Sequence, residues 1–434
     1  MRTWTDTKLY VQVATYPFFS NEFWIAERPF VLPLFYKLLG MNLSNFTEYK
    51  YLAGVVKIQV LVGAFSWILL AFATSRQLKN NVFRVVSTAF VLLVGLGLHS
   101  SLWDKLVLTE SLSNSLFIVF LSLILFIDIV SKTNKSWGRV LFLISVGITA
   151  LLYAFIRDVN AYLLFIAGLS LLLYRILVKD PLSKTKIYLN LSILFLAVSL
   201  LSLINSNLTN RWRGPLVNVL KDRKVSQPVL ADFFMKNGVD LFQKFPNTST
   251  DPLAEQLPAT LASINDLAFL KECKAIYVKF LVTHPLYLIS APLNQLNSLI
   301  SPDSTEYEYR FEPKPTYPWV VALTNIGYPR SNWVLAIGII AALVGLFIAR
   351  PEARPFLWFL LVLNLSVIPL ALLIWHADTM EIERHAEHIM IQTRLGFWLS
   401  LVFLIDCILA RFNAGKIIPQ TDVSPETKDN KMAF

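Results

Sequence analysis

Nine apolar runs punctuate this chain of 434 residues, at 53–74, 83–99, 112–131, 140–155, 160–178, 187–205, 331–349, 355–375 and 395–411. Crossing a hydrocarbon core of about 30 Å takes roughly 20 helical residues. With no water at that depth, a continuous apolar segment must satisfy its backbone internally, which selects helix. The runs therefore predict an all-α polytopic membrane protein of about nine transmembrane helices. Only 16% of residues are charged and mean hydropathy is +0.55, whereas roughly a quarter of a soluble chain is charged.

The net charge of +10 raises the question of nucleic acid, and its distribution answers it. One set of short connections carries Arg76, Lys79, Lys132, Lys135, Arg139, Lys179, Lys184, Lys186, Arg350, Arg354, Arg411 and Lys416. The alternate set carries only Lys105, Arg157 and Arg384. Basic residues concentrate in cytoplasmic loops, so the first set is expected inside. The charge is topological, and no nucleic-acid partner is expected. Cys273 and Cys407 lie far apart in unlike surroundings, which supports neither a disulfide framework nor a thiolate metal site.

This sidedness divides the chain. Residues 1–50 are expected as an extracytoplasmic first loop with interfacial helices, 51–205 as transmembrane helices and 206–330 as an extracytoplasmic domain of small helices. Residues 331–411 return to the membrane, and 412–434 form a cytoplasmic tail. The segment 28–40, RPFVLPLFYKLLG, is too short to span and is expected along the membrane surface. The stretch 274–293 is interrupted by Pro285 and Pro292 and is expected to lie in the interface rather than cross.

Ionisable groups at or near membrane depth are expensive and are functional candidates. The spans hold few, namely Lys57, Asp128 and Asp406. On the expected outer side they gather: Asp6, Asp104, Glu110, Asp158, Asp378, Glu381, Glu383 and Glu387, with all five histidines, His99, His284, His376, His385 and His388. The competing explanation is that loops are simply where polar residues go. Glu110 resists it, because it immediately precedes an apolar run and is flanked by Thr109, Ser111 and Ser113.

The order of these motifs, WTDTKLY, then ERPFVLPLFYKLLG, then LTESLSNSL two spans later, with DTMEIERH before the last span, resembles the GT-C superfamily of lipid-linked glycosyltransferases. The protein O-mannosyltransferase and aminoarabinose transferase type is the most similar. The family arrangement Asp-Glu-x-x-Tyr is met in part by Asp6 to Tyr10, with Thr7 where a second acid often stands. The resemblance covers 1–160 and 376–411 and barely touches 206–330. It implies that the family's first transmembrane helix is missing here and that WTDTKLY begins the first outer loop. An apolar stretch of roughly 20 residues is then expected upstream of a start assigned too far downstream.

What the resemblance implies chemically is transfer of a sugar from a polyprenyl-phosphate-linked donor to an acceptor glycan, lipid or protein on the extracytoplasmic side, the plasma (inner) membrane if bacterial. Asp6 would be the base, and Glu110 would position the acceptor or assist, with a metal role possible. Tyr10, Asp104, Arg157, Asp158, Glu383, His385 and Arg394 are the expected substrate-binding residues. Arg157 and Arg394 are assigned to the phosphate, since guanidinium binds it in bidentate fashion. Arg157 pairing only with Asp158, and Arg394 only reaching lipid headgroups, are the structural alternatives. Glu383 and His385 could ligate a divalent ion, a cofactor that the spacing alone leaves unknown. The cavity is expected at the outer surface, walled by 28–40 and 274–293. A polytopic transporter or lipid flippase is the alternative function, for which binding groups nearer the midplane are expected.

Overall fold

The computed structural model describes residues 5–131, 136–177, 182–241, 266–300, 317–331, 333–377, 379 and 382–415. Among these, every regular element is a helix. Three short ones, α1 (Thr5–Thr15), α2 (Asn21–Trp24) and α3 (Val31–Leu38), precede the bundle. Its first half is α4 (Tyr49–Gln77), α5 (Asn81–Leu96), α6 (Leu98–Trp103), α7 (Thr109–Ser131), α8 (Ser136–Ala154), α9 (Asp158–Leu177) and α10 (Leu182–Leu208). The middle of the chain forms α11 (Arg213–Ser226), α12 (Pro228–Lys236), α13 (Leu267–Thr283), α14 (Pro285–Asn294), α15 (Leu296–Ile300) and α16 (Pro318–Gly327). The second half of the bundle is α17 (Trp333–Ile348), α18 (Arg354–Leu365), α19 (Val367–Ala377) and α20 (Ile382–Gly415).

Among the described residues, seven segments are long and apolar enough to cross a membrane: Tyr49–Gln77, Thr109–Ile127, Trp137–Ala154, Asp158–Leu177, Lys186–Leu208, Arg354–Ala377 and His385–Phe412. The chain is an integral, multi-pass membrane protein. Two of the nine expected spans fall on shorter apolar helices, α5 and α17, of 16 residues each. At 1.5 Å per residue these reach only about 24 Å. Helix α5 stops early because Gly97 adopts an extended ψ of 153°. The span Arg354–Ala377 is jointed between α18 and α19, where Pro369 removes a backbone donor from the first turn of α19. The expected single interfacial helix at 274–293 is two helices meeting at 89°. Pro285 opens α14, and the residue before a proline is driven out of helical geometry.

The largest correction concerns 376–394, expected as a loop. Helix α19 runs to Ala377 and α20 begins at Ile382, so Glu387, His388 and Arg394 are helix residues, all buried. Helix α20 continues 13 residues upstream of the apolar run at 395 because its polar side chains face other helices rather than water.

One continuous core fills the bundle, with α7 its most enclosed span. At Gly396 and Gly338 a Cβ would fall on Asn364 Oδ1, so these two glycines are what let α20 and α17 close on α18. A second core, built from Leu216, Leu220, Leu230, Phe234, Cys273 and Phe280, belongs to α11, α12 and α13.

The bundle's two ends differ. At one, Asp406 accepts from the backbone amides of Lys79 and Asn80 at 3.2 and 3.1 Å, and Arg350 donates to the Ala410 carbonyl at 3.4 Å. At the other, hydroxyls of Thr7 and Tyr36 donate to the Val107 carbonyl at 2.9 and 3.0 Å, which docks α1 and α3 beside the start of α7.

Candidate functional site

Four separate parts of the sequence meet at that second end. Asp6 lies in the first turn of α1, and Tyr10 follows one turn later on the same face. Arg28 donates to Asp6 Oδ1 at 2.6 Å, and its guanidinium carbon sits 5.4 Å from the Tyr10 ring centre. Both charged side chains keep about 30% of their surface exposed, at 30% and 29%.

Glu110 lies in the first turn of α7, where the helix dipole favours negative charge. It is 1% exposed and faces Arg157 at 3.8 Å, across the α8–α9 connection. Arg157 in turn donates to His385 Nδ1 at 2.7 Å. Guanidinium only donates, so His385 accepts at Nδ1 and carries its proton at Nε2. The pairing of Arg157 with Asp158 weighed from sequence does not form. Asp158 instead takes a bidentate contact from Arg211, at 2.9 and 3.0 Å, and a hydrogen bond from Ser206.

The Tyr10 hydroxyl records how these parts converge. Burial raises its pKa first; beyond that, Arg28 lowers it, Asp6 and Glu110 raise it, and Arg157 lowers it. All four charges therefore act on one side chain of α1.

Beneath them a polar network enters the bundle. Asn114 donates to Glu387 Oε1 at 2.7 Å, Tyr153 and His388 share a hydrogen bond of 2.7 Å, and Asn160 donates to Ser113 and to the Tyr153 carbonyl. Glu387 lies within electrostatic reach of Glu110, Arg157 and Asp104. Nothing in the order of residues alone separates Glu387 and His388 from the other acidic and histidine residues. The available signal was helical spacing upstream of residue 395, where Ala386, Ile389, Met390 and Thr393 are buried at i, i+3, i+4 and i+7.

Two expected members, Arg394 and Asp158, make their described contacts away from this cluster. Arg394 is 1% exposed and spends its guanidinium on the carbonyls of Ile300, Pro329 at 3.0 Å and Met390 at 3.5 Å. Burial among these carbonyls makes it a tie between α15, the α16–α17 link and α20. Asp158, held by Arg211, likewise fastens helices. The Glu383 side chain, Asp378 and Glu381 lie outside the described residues. Among the described residues no three His, Cys, Asp or Glu side chains gather as a metal site.

Asp104 stands at the edge of the cluster, accepting from Ser111 at 2.5 Å. Burial pushes its carboxyl up from 3.8 to about 6, with the Ser111 hydrogen bond opposing. The folded carboxyl thus holds its proton more tightly than the unfolded one. Its contribution to stability is fully present below about pH 3.8, is lost as pH rises through about 6, and is flat above. Asp104→Asn is expected to remove a slope of roughly 1–3 kcal/mol across that window. Thermal midpoints of the purified protein from pH 4 to 7 measure it, and an unchanged slope in the variant rejects the assignment.

An apolar cavity of about 80 Å³ lies deeper, between α7, α9, α10 and α18, lined among others by Phe117, Phe120, Leu163, Phe195 and Phe359. It is distinct from the outer-surface cavity expected between 28–40 and 274–293. Phe117 joins it to the polar network, its ring 4.2 Å from that of His388. Searches against protein-family models, curated proteins and solved structures return no match for this chain.

Proposed function

We propose that this membrane protein is a glycosyltransferase that moves a sugar from a polyprenyl-phosphate-linked donor to an acceptor hydroxyl, at the extracytoplasmic face. Support comes above all from one observation: the Arg28–Asp6 pair, at 2.6 Å, is docked through Thr7 on the Val107 carbonyl beside the first turn of α7, where Glu110 faces Arg157 at 3.8 Å, at one end of an apolar bundle. A lipid-borne phosphate presents its head at such an end while its hydrocarbon stays among apolar helices.

In the proposed reaction the acceptor oxygen attacks the anomeric carbon, and the bond from that carbon to the phosphate oxygen breaks with its electron pair going to phosphate. The acceptor proton passes to Asp6. A single displacement of this kind inverts the anomeric centre. Asp6 suits the base because it is partly exposed and oriented by Arg28. Glu110 is too enclosed to touch an acceptor; its role is to hold Arg157 toward the departing phosphate. This revises the sequence-based role of Glu110. Arg28 supplies the more accessible cation.

The transporter or flippase alternative draws on a different observation, the buried Glu387–Asn114 and His388–Tyr153 pairs on helices of the bundle. One experiment separates the two. The purified protein in vesicles is given a panel of radiolabelled polyprenyl-phosphate hexoses with a hydroxyl acceptor pool from native membranes. Transfer predicts label leaving the donor lipid with stoichiometric release of polyprenyl phosphate. Donor crossing the bilayer with its sugar still attached supports the flippase and removes the transferase.

A further inference from the structure

The middle helices carry a surface that the transfer chemistry does not use. Helix α13 buries Leu270, Cys273, Ile276, Tyr277 and Phe280 against α11 and α12. The opposite face presents Lys271, Lys274, Val278, Lys279 and Val282, with Val278 and Val282 51% and 73% exposed. Beyond the bend, α14 exposes Leu286, Ile289 and Leu293 at i, i+3 and i+7. Exposed Glu272 on the flank is the one acidic residue of α13. A stripe of this size mixing bare aliphatic side chains with lysine needs a partner that is both apolar and anionic.

Depth identifies that partner. Lys274 Nζ donates to Asn207 Oδ1 at 3.2 Å and lies 4.4 Å over the Trp212 ring. Asn207 is the penultimate residue of the span Lys186–Leu208, so α13 is fastened at the level where that span leaves the hydrocarbon. Tryptophan belongs to the same headgroup layer. The 89° bend keeps α13 and α14 from crossing as one helix.

We infer that the exposed face of α13 and α14 docks onto anionic phospholipid headgroups, with Val282, Leu286 and Ile289 entering the bilayer surface, Lys271 and Lys279 meeting lipid phosphates, and Lys274 staying on Trp212. This goes beyond the transferase proposal and does not depend on it.

The test uses full-length protein carrying Val282→Cys and Cys407→Ala, labelled with an environment-sensitive fluorophore. It is reconstituted in vesicles of phosphatidylcholine alone or mixed with phosphatidylglycerol, and quenched with uncharged acrylamide. Docking predicts a blue-shifted, poorly quenched probe with phosphatidylglycerol that reverts at high salt. Lys271→Gln with Lys279→Gln leaves the Lys274–Trp212 contact in place. It is expected to lower the ratio of docked to free probe by roughly 25-fold, about fivefold per lysine. Equal quenching in both vesicles overturns the inference. So does protection untouched by salt or by the double variant, which means a face sunk in hydrocarbon, and so does protection that grows with protein density without anionic lipid, which means a second copy.

Discussion

Asp6→Asn is expected to slow sugar transfer by about 10²–10⁴-fold, the usual contribution of a positioned general base, while the protein still folds and binds its donor. The substitution isolates the proton. An amide oxygen still accepts from Arg28, as Asp6 Oδ1 does at 2.6 Å, so α1 keeps its place through that contact and through Thr7 on the Val107 carbonyl. What is lost is the capacity to take a proton from the acceptor. Initial rates on a donor the wild type uses, with donor affinity measured separately, distinguish this from a binding defect. Asp6→Glu should recover part of the rate. A rate for Asp6→Asn equal to wild type removes Asp6 from the chemistry.

Arg394→Met is expected to do the reverse, lowering stability by about 2–5 kcal/mol while leaving turnover per folded molecule near that of wild type. Methionine has similar reach and no donors. It leaves the carbonyls of Ile300 and Pro329 buried without this partner, and each such group costs about 1–3 kcal/mol. Denaturation in detergent, followed by activity normalised to the folded fraction, measures both. A stable variant with abolished turnover restores Arg394 to the phosphate site and overturns the structural role.

Much of the architecture is readable because the solvent imposes it. A segment surrounded by lipid must be apolar on most sides, so α4, α7 and α9 announce themselves as runs. Legibility fails where a helix is surrounded by protein. The N-terminal half of α20 carries Glu387, His388 and Arg394, each hydrogen-bonded to a neighbouring part of the chain, and so looks like a loop in one dimension. Partner choice is hidden for a related reason. Arg157 and Asp158 are neighbours in sequence, but one closes the α8–α9 connection and the other starts α9. Their side chains therefore diverge, one to His385, 228 positions away, the other to Arg211, 53 positions away. Sequence pointed to Asp6, Glu110, Arg157 and His385 as chemically loaded, yet could not say which would be buried, and burial is what separates the partly open Asp6 from the enclosed Glu110.

The fastening of the N-terminal segment has a consequence for biosynthesis. Residues 5–38 are held by Val107, by Asn205 on the Trp24 carbonyl and by Arg211 on the Ala26 carbonyl. Arg211 follows Ala26 by 185 residues. At about 5–20 residues per second the ribosome takes roughly 10–40 s to cover that distance. The residues made first are thus among the last to be seated. Throughout that interval Asp6 and its helix wait without their full docking surface, and the end of the molecule that carries Asp6 and Glu110 stays unassembled until the fifth long apolar helix, α10, has been delivered to the bilayer.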